Sequence, residues 1–224
     1  MTLLAIDTSE SACSIALLDD STVVDSKSEM IGRGHAERLL PLIEERLVAT
    51  GLTYSDLTRI AVTTGPGTFT GLRIGLAVAR GLALQGNFPC VGLTGLHVLA
   101  AFASKQASAA PVYAIIAGRA GQAFVQKFTD SGVTASTESV ANLDMEDIVK
   151  MVDRDPGTVI STSGEITKKF TGQEVDVISL EAIDPVTLGL LALDLDPMTY
   201  PPEPTYFRAA DAKKATPILL VAST

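Results

Sequence analysis

From Leu3 to Glu29 short apolar runs are punctuated by acidic turns: Leu3–Asp7, Ala12–Leu18 and the more polar Thr22–Glu29, separated by Asp7-Thr8-Ser9-Glu10 and by Asp19-Asp20. Apolar runs bounded by turn formers predict three hairpin-linked strands. The period then changes. Leu39, Leu40, Leu42, Ile43, Leu47 and Val48 recur at helical spacing, which predicts an amphipathic helix over His35–Thr50, with Pro41 inside it and Gly51 as its C-cap. A strand over Arg59–Thr64 leads into Gly65-Pro66-Gly67-Thr68-Phe69-Thr70-Gly71-Leu72-Arg73 and then into the periodic run Leu72–Leu84. That succession reads as strand, glycine-rich turn and helix, with Thr70 the expected N-cap. A strand over Cys90–Leu93 and a helix from Thr94-Gly95 to Lys105 complete this half.

The second half follows the same order with weaker signals. Pro111–Gly118 and Gln122–Thr129 predict an antiparallel pair around Gly118-Arg119-Ala120-Gly121, with a third strand over Thr134–Ser139. A helix over Asn142–Val152, a strand over Thr158–Ser161, a short helix after Gly164, a strand over Val175–Ile178 and a helix over Pro185–Asp194 follow. Two related α/β lobes are the expected architecture: residues 1–108, and a smaller, divergent lobe over 109–224.

Composition narrows the function. Of 224 residues 46% are hydrophobic but only 5% aromatic, so the core must be built mainly from Leu, Ile, Val and Ala. Twenty-six acidic residues against 17 basic ones give a net charge of −9. Such a surface repels phosphate backbones, which argues against autonomous nucleic-acid binding, though not against an assembly in which a basic partner holds the nucleic acid. Cys13 and Cys90 lie in apolar settings and read as buried thiols rather than a disulfide or metal pair. Asp7 and Glu10 interrupt the apolar N-terminal stretch, and no apolar run reaches the roughly 18 residues of a membrane span. A soluble cytoplasmic protein is the expectation.

Candidate chemistry is sparse. Asp7, at a strand end beside Thr8 and Ser9, either orients a metal, phosphate or water, or caps its own turn. The backbone N–H groups opening the helix after Gly67 suit an anion, yet the lysine and hydroxyl of a P-loop are missing and the glycine spacing is not that of a dinucleotide fingerprint. Arg73 reads either as an anion contact or as half of a salt bridge. His35 and Glu37 do not share a helix face, His97 is the only other histidine, and Ser9, Ser11 and Ser14 lack a base and its orienting acid. No metal site is expected. Gly71, Gly75, Ala79 and Ala83, spaced by four, put small residues on one helix face, where another backbone can approach closely.

Several stretches together resemble the TsaB/YeaZ family, bacterial accessory proteins of tRNA threonylcarbamoyladenosine biosynthesis. They are Leu4-Ala5-Ile6-Asp7-Thr8-Ser9, Cys13-Ser14-Ile15-Ala16-Leu17, His35-Ala36-Glu37-Arg38-Leu39-Leu40-Pro41 and the Gly65–Gly75 junction. Leu82-Ala83, Pro89, Gly92-Leu93 and the closing Pro204-Thr205-Tyr206-Phe207-Arg208-Ala209-Ala210-Asp211-Ala212 continue the likeness. The resemblance covers the first half densely and the second thinly. It implies an α/β fold of the two-lobed actin-like ATPase (ribonuclease H-like) type, with duplicated βββαβα lobes. It also implies a non-catalytic scaffold for the threonylcarbamoyl-transferase subunit, whose own histidine metal motif is not found here.

What the resemblance implies for partners is a TsaD-like catalytic subunit, a TsaE-like ATPase reached through the complex, tRNA only indirectly, and a homodimer when the chain is isolated. No intrinsic cofactor is implied, although a nucleotide at a complex interface is compatible with it; Asp7, Gly67 and Arg119 are the weak ligand candidates. The implied interface lies on the helices His35–Thr50 and Gly71–Leu84: His35, Leu39, Ile43, Leu72 and Leu76 as contacts, with Gly71, Gly75 and Ala79 allowing close approach. Two departures touch the second lobe. An Asp-Ala-Arg and a Glu-Val-Tyr-like segment are replaced by Ala117-Gly118-Arg119 and Gln122-Ala123-Phe124, and the usual serine after His35 is Ala36. An actin-like-fold ATPase or phosphotransferase is the alternative from another class; a protease reading is weaker, since neither metal ligands nor a serine arrangement is present.

Overall fold

The computed structural model describes residues 1–106, 111–129, 139–205 and 207. Among these residues ten strands form two five-stranded sheets. The first contains β1 (Thr2–Asp7), β2 (Ala12–Asp19), β3 (Thr22–Met30), β4 (Leu57–Gly65) and β5 (Cys90–Thr94), in the order β3-β2-β1-β4-β5. The second contains β6 (Val112–Ala117), β7 (Gln122–Phe128), β8 (Ala141–Asp144), β9 (Thr158–Ser161) and β10 (Asp176–Ser179), in the order β10-β9-β6-β7-β8. In each sheet the first three strands pair antiparallel, and the fourth and fifth run parallel to the first. The second sheet is therefore a topological repeat of the first, as expected for a duplicated actin-like fold.

Helices intervene at matching points: α1 (His35–Thr50), α2 (Phe69–Gly86) and α3 (Gly95–Ser104) in the first half, α4 (Met145–Arg154), α5 (Gly164–Lys168) and α6 (Pro185–Ala192) in the second. α1 has the predicted bounds because its apolar stripe ends at Gly51, whose left-handed φ of 72° returns N–H groups to the last carbonyls. α1 and α2 cover one face of the first sheet, burying Leu39, Leu42, Ile43, Leu47, Leu76 and Ala79 against Leu4, Ile6, Ile15 and Val62. The opposite face carries Leu3, Ala5, Ala16 and Leu18 and belongs to a core shared with the second sheet.

The third helix of each half crosses over. α3 packs on β6 of the second sheet, while α6 packs on β1, β2 and β4 of the first. Gly189 of α6 comes so close that a Cβ there would lie 2.5 Å from Leu18 Cδ1. Arg59, buried in β4, anchors this crossing: its Nε donates to the Ala192 carbonyl at 2.7 Å and a second guanidinium nitrogen donates to Leu195. A cation thereby meets the carbonyl end of α6, where the helix dipole favours it.

Three local expectations change. α2 begins at Phe69, and Thr68 rather than Thr70 is its N-cap, accepting from the Gly71 N–H at 3.2 Å. A strand, β8, occupies Ala141–Asp144, where the helix was expected to begin, because Asn142 and Leu143 pair with Phe124 and Ala123 before α4 starts at Met145. The strand expected over 134–139 falls almost wholly outside the described residues.

Candidate functional site

The turn after β1 and the glycine-rich junction after β4 interlock. Asp7 is fully buried, and its Oδ1 accepts from the Ser9 N–H (3.1 Å), the Ser9 hydroxyl (2.7 Å) and the Thr63 hydroxyl (2.6 Å). The Thr68 N–H donates to the Ser9 carbonyl at 2.7 Å. Gly67 makes this approach feasible: a Cβ there would lie 2.3 Å from the Ser9 oxygen. Of the two readings of Asp7, the turn cap accounts for Oδ1, whereas Oδ2 is buried with no hydrogen-bond partner among the described residues. Burial raises the Asp7 carboxyl above its ordinary value, while the hydroxyls of Thr63 and Ser9 oppose the shift.

Glu10, on the same turn, also holds a buried oxygen, Oε2, without a partner. Burial pushes its carboxyl up to about 7, the Thr162 hydroxyl opposes this, and the Asp7 charge adds to it. The remaining sequence candidates are scattered. Arg119 is exposed on the β6–β7 turn. His35 is buried, with Nε2 3.1 Å from the Ala12 carbonyl oxygen. His97 is tied through Nδ1 to the Thr94 hydroxyl at 2.6 Å and stands edge-on to Phe128; burial lowers its pKa. Arg73 forms no salt bridge among the described residues and stacks over the Phe69 ring, 3.6 Å from its centroid. Burial pushes the Cys13 thiol up to about 11 and Cys90 to about 12, so neither is a ready nucleophile.

A nucleotide, which the actin-like fold brings to mind, does not suit these residues. The junction N–H groups of Thr68 and Gly71 are occupied by Ser9 and by the cap. A cavity of about 420 Å³ opens at the carboxyl ends of β4 and β5, under the segment 199–205. Its polar groups are hydroxyls such as Thr64 and Thr94, the His97 ring and the Glu203 carboxylate; among the described residues no lysine or arginine lines it. Nor do the described residues bring three His, Cys, Asp or Glu side chains together as a metal cluster. Among them, no helix is long and apolar enough to cross a membrane.

The helix face is where sequence and structure part. Leu39, Ile43, Leu72, Leu76 and Ala79 are buried within this chain, as are His35, Gly71 and Gly75. The small-residue stripe does permit a close approach, but to the chain's own β1 turn. A Cβ on Gly71 would lie 2.1 Å from the Thr8 carbonyl oxygen and one on Gly75 2.4 Å from Thr8 Oγ1, while the Thr8 hydroxyl donates to the Gly71 carbonyl at 2.8 Å. The expected contact set is therefore corrected: those residues already have an intramolecular partner.

The large apolar side chains exposed on the two helices are a different set. Leu40 and Val48 on α1, and Phe69 and Leu84 on α2, are 45%, 74%, 51% and 85% exposed. Because both helices cover one face of one sheet, their outward sides share one surface. Its charges differ by helix, with exposed Glu37 and Glu44 on α1 and exposed Arg73 and Arg80 on α2. Arg38 reinforces the α1 side by bridging Glu29 and Glu45, holding both carboxyls below their usual range. Sequence spacing could have pointed to this set, since Leu40 and Val48 are eight apart, and Phe69 precedes the buried stripe.

Comparison with known proteins adds a family to this geometry. The family model described as TsaD, tRNA N6-adenosine threonylcarbamoyltransferase, matches residues 23–180. The tRNA threonylcarbamoyladenosine biosynthesis protein TsaB of Escherichia coli is 36% identical over 148 residues, which is 65% of this chain and 64% of that protein's length. YeaZ from Pseudomonas aeruginosa superposes with a TM-score of 0.73 at 29% identity, covering 92% of this chain and 99% of that one. An activator of 2-hydroxyisocaproyl-CoA dehydratase from Clostridium difficile, solved with bound ADPNP, shares the fold at a TM-score of 0.56 and 12% identity. With the family model spanning most of its length and the YeaZ structure superposing over 92% of it, the chain belongs to the TsaB/YeaZ family.

Proposed function

We propose that this chain is an accessory subunit in the formation of threonylcarbamoyladenosine in tRNA, acting as a scaffold without an active site of its own. The observation that carries this reading is the outward face of α1 and α2, where large apolar side chains stand exposed on rigid helices. The likeness to TsaB and to the TsaD family model supplies the pathway. In this reading residues 1–108 form the docking lobe, and the surface around Leu40, Val48 and Leu84 seats on a TsaD-like transferase. A TsaE-like ATPase joins through the complex, and tRNA is held by the partners. Each large side chain covered contributes about 1.5–3 kcal/mol before the costs of association.

The same surface suits a second copy of the chain, since a two-fold that sets α1 of one copy against α2 of the other would pair Glu37 and Glu44 with Arg73 and Arg80. A homodimer of the isolated chain then competes with the transferase for one face. The scaffold needs no cofactor of its own; a nucleotide used by the complex sits at a composite interface. Reconstitution tests this: purified transferase, ATPase, threonylcarbamoyl-adenylate and tRNA are assayed with and without this chain. The expected outcome is modification that depends on the chain and fails with Leu84→Glu. Phosphoryl transfer by the chain alone would instead favour an ATPase or phosphotransferase.

A further inference from the structure

We propose that the free edge of β3 joins two copies of this chain, strand to strand, into one continuous antiparallel sheet. Sheet edges carry unpaired N–H and C=O groups that accept a further strand unless they are short, bulged or covered. Among the described residues three of the four edges are guarded in this way. β8 and β10 have four residues each, and β5 is covered by the chain itself, whose Tyr200 carbonyl accepts from the Gly92 N–H at 2.9 Å. β3 is nine residues long, borders the first sheet, and is exposed at every position but Asp25 and Glu29.

Pairing with β2 decides which groups face outward. Ile31 donates its N–H to the Ser11 carbonyl at 3.1 Å, and the same register sets Glu29 opposite Cys13 and Lys27 opposite Ile15. Alternate residues therefore bond to β2, while the N–H and C=O groups of Ser26 and Ser28 point to the free side. Side chains alternate between the two faces of the sheet. Asp25 and Glu29 reach Arg46 and Arg38 of α1, at 3.7 and 2.6 Å, so Lys27 between them stands on the helix face too.

Charge selects the occupant and its register. A two-fold axis at Ser26 lays Thr22–Met30 against itself over its full length and sets Asp25 of each copy opposite Lys27 of the other. A shift that centres on Lys27 opposes the two ammonium groups and sets Asp25 against Glu29. With strands about 4.8 Å apart, the two α1 helices, each lying over β2 and β3, come to about 10 Å, a helix-packing distance. A second copy thus finds main-chain bonds, two ion pairs and a neighbouring helix along one edge. The contact is separate from the outer helix face and weaker, because its central side chains are serines and charged groups.

Amide exchange of the full chain carrying Leu84→Glu tests the edge with the outer helix face disabled, so the two surfaces fail independently. For a dissociation constant of about 0.1 mM, exchange at Ser26 and Ser28 is expected to slow about fourfold between about 10 µM and about 1 mM chain, while Lys27 and Glu29, bonded to β2, stay unchanged. Lys27→Asp and Asp25→Lys each set like charges opposite one another and are expected to lose this concentration dependence. An equimolar mixture of the two is expected to regain it, because the mixed pair opposes Lys and Asp at both positions. Exchange at Ser26 and Ser28 that ignores concentration, in a chain whose circular dichroism is native, would overturn the proposal, as would a mixture that behaves like its components. Protection that arises only on adding the transferase would assign the edge to that partner and overturn it as well.

Discussion

The two halves of the molecule share one blueprint and use it differently. Both sheets have the same strand order and directions, yet the first half carries helices of 16 and 18 residues at α1 and α2, against 10 and 5 at α4 and α5. The turns differ as well. After β1, Asp7 and Ser9 are locked against Thr63 and Thr68; after β6, Gly118-Arg119-Ala120-Gly121 stands largely in solvent. The frame thus recurs, while among the described residues long helices with an apolar exterior stand in the first half. A docking face requires such length, because a five-residue helix cannot display a stripe over several turns.

Four substitutions would sharpen or break that contrast. The largest effect is expected from Gly71→Ala, whose new Cβ meets the Thr8 carbonyl at 2.1 Å and should cost about 3 kcal/mol in urea unfolding. A variant as stable as wild type would return the small-residue stripe to the list of partner contacts. Arg59→Ala comes next. Loss of the bonds to Ala192 and Leu195 should cost about 2 kcal/mol and speed hydrogen exchange in α6 above all other helices. Uniform loss of protection would deny that Arg59 ties this helix in particular. Leu84→Glu, at a site 85% exposed, should leave stability within about 0.5 kcal/mol while weakening self-association in ultracentrifugation and binding to the transferase at least tenfold. Intact association would remove the outer face from consideration. Smallest of all, Arg119→Ala on the exposed turn should change stability by less than about 0.5 kcal/mol and leave tRNA modification by the reconstituted complex unaltered. A strong loss of activity would give the second half a role its turn does not suggest.

Much of the frame was legible because its signals are local. Leu39, Ile43 and Leu47 recur with the helical period, Gly51 stops the helix, and acidic turns separate β1, β2 and β3, so these elements emerged within a residue or two. Direction was not legible. Gly71, Gly75 and Ala79 mark a face, but α2 is apolar almost all round, with Leu72, Ile74, Leu76, Val78, Leu82 and Leu84, so periodicity does not say which side meets the sheet. Thr8, which the stripe touches, lies 63 residues away from Gly71 in the chain. Likewise β8 escaped notice because Asn142, Leu143 and Asp144 owe their extended shape to pairing with β7.

The crossing of α3 and α6 bears on how the polypeptide becomes native. Leu3 and Leu18 precede Gly189 in synthesis and must wait for it to arrive before their outer side is covered. Until α6 has been made, that flank of the first sheet remains greasy and open to wrong associations, and neither half can mature as an independent unit. Any severing of the chain between the halves would strand each sheet without the helix supplied by the other.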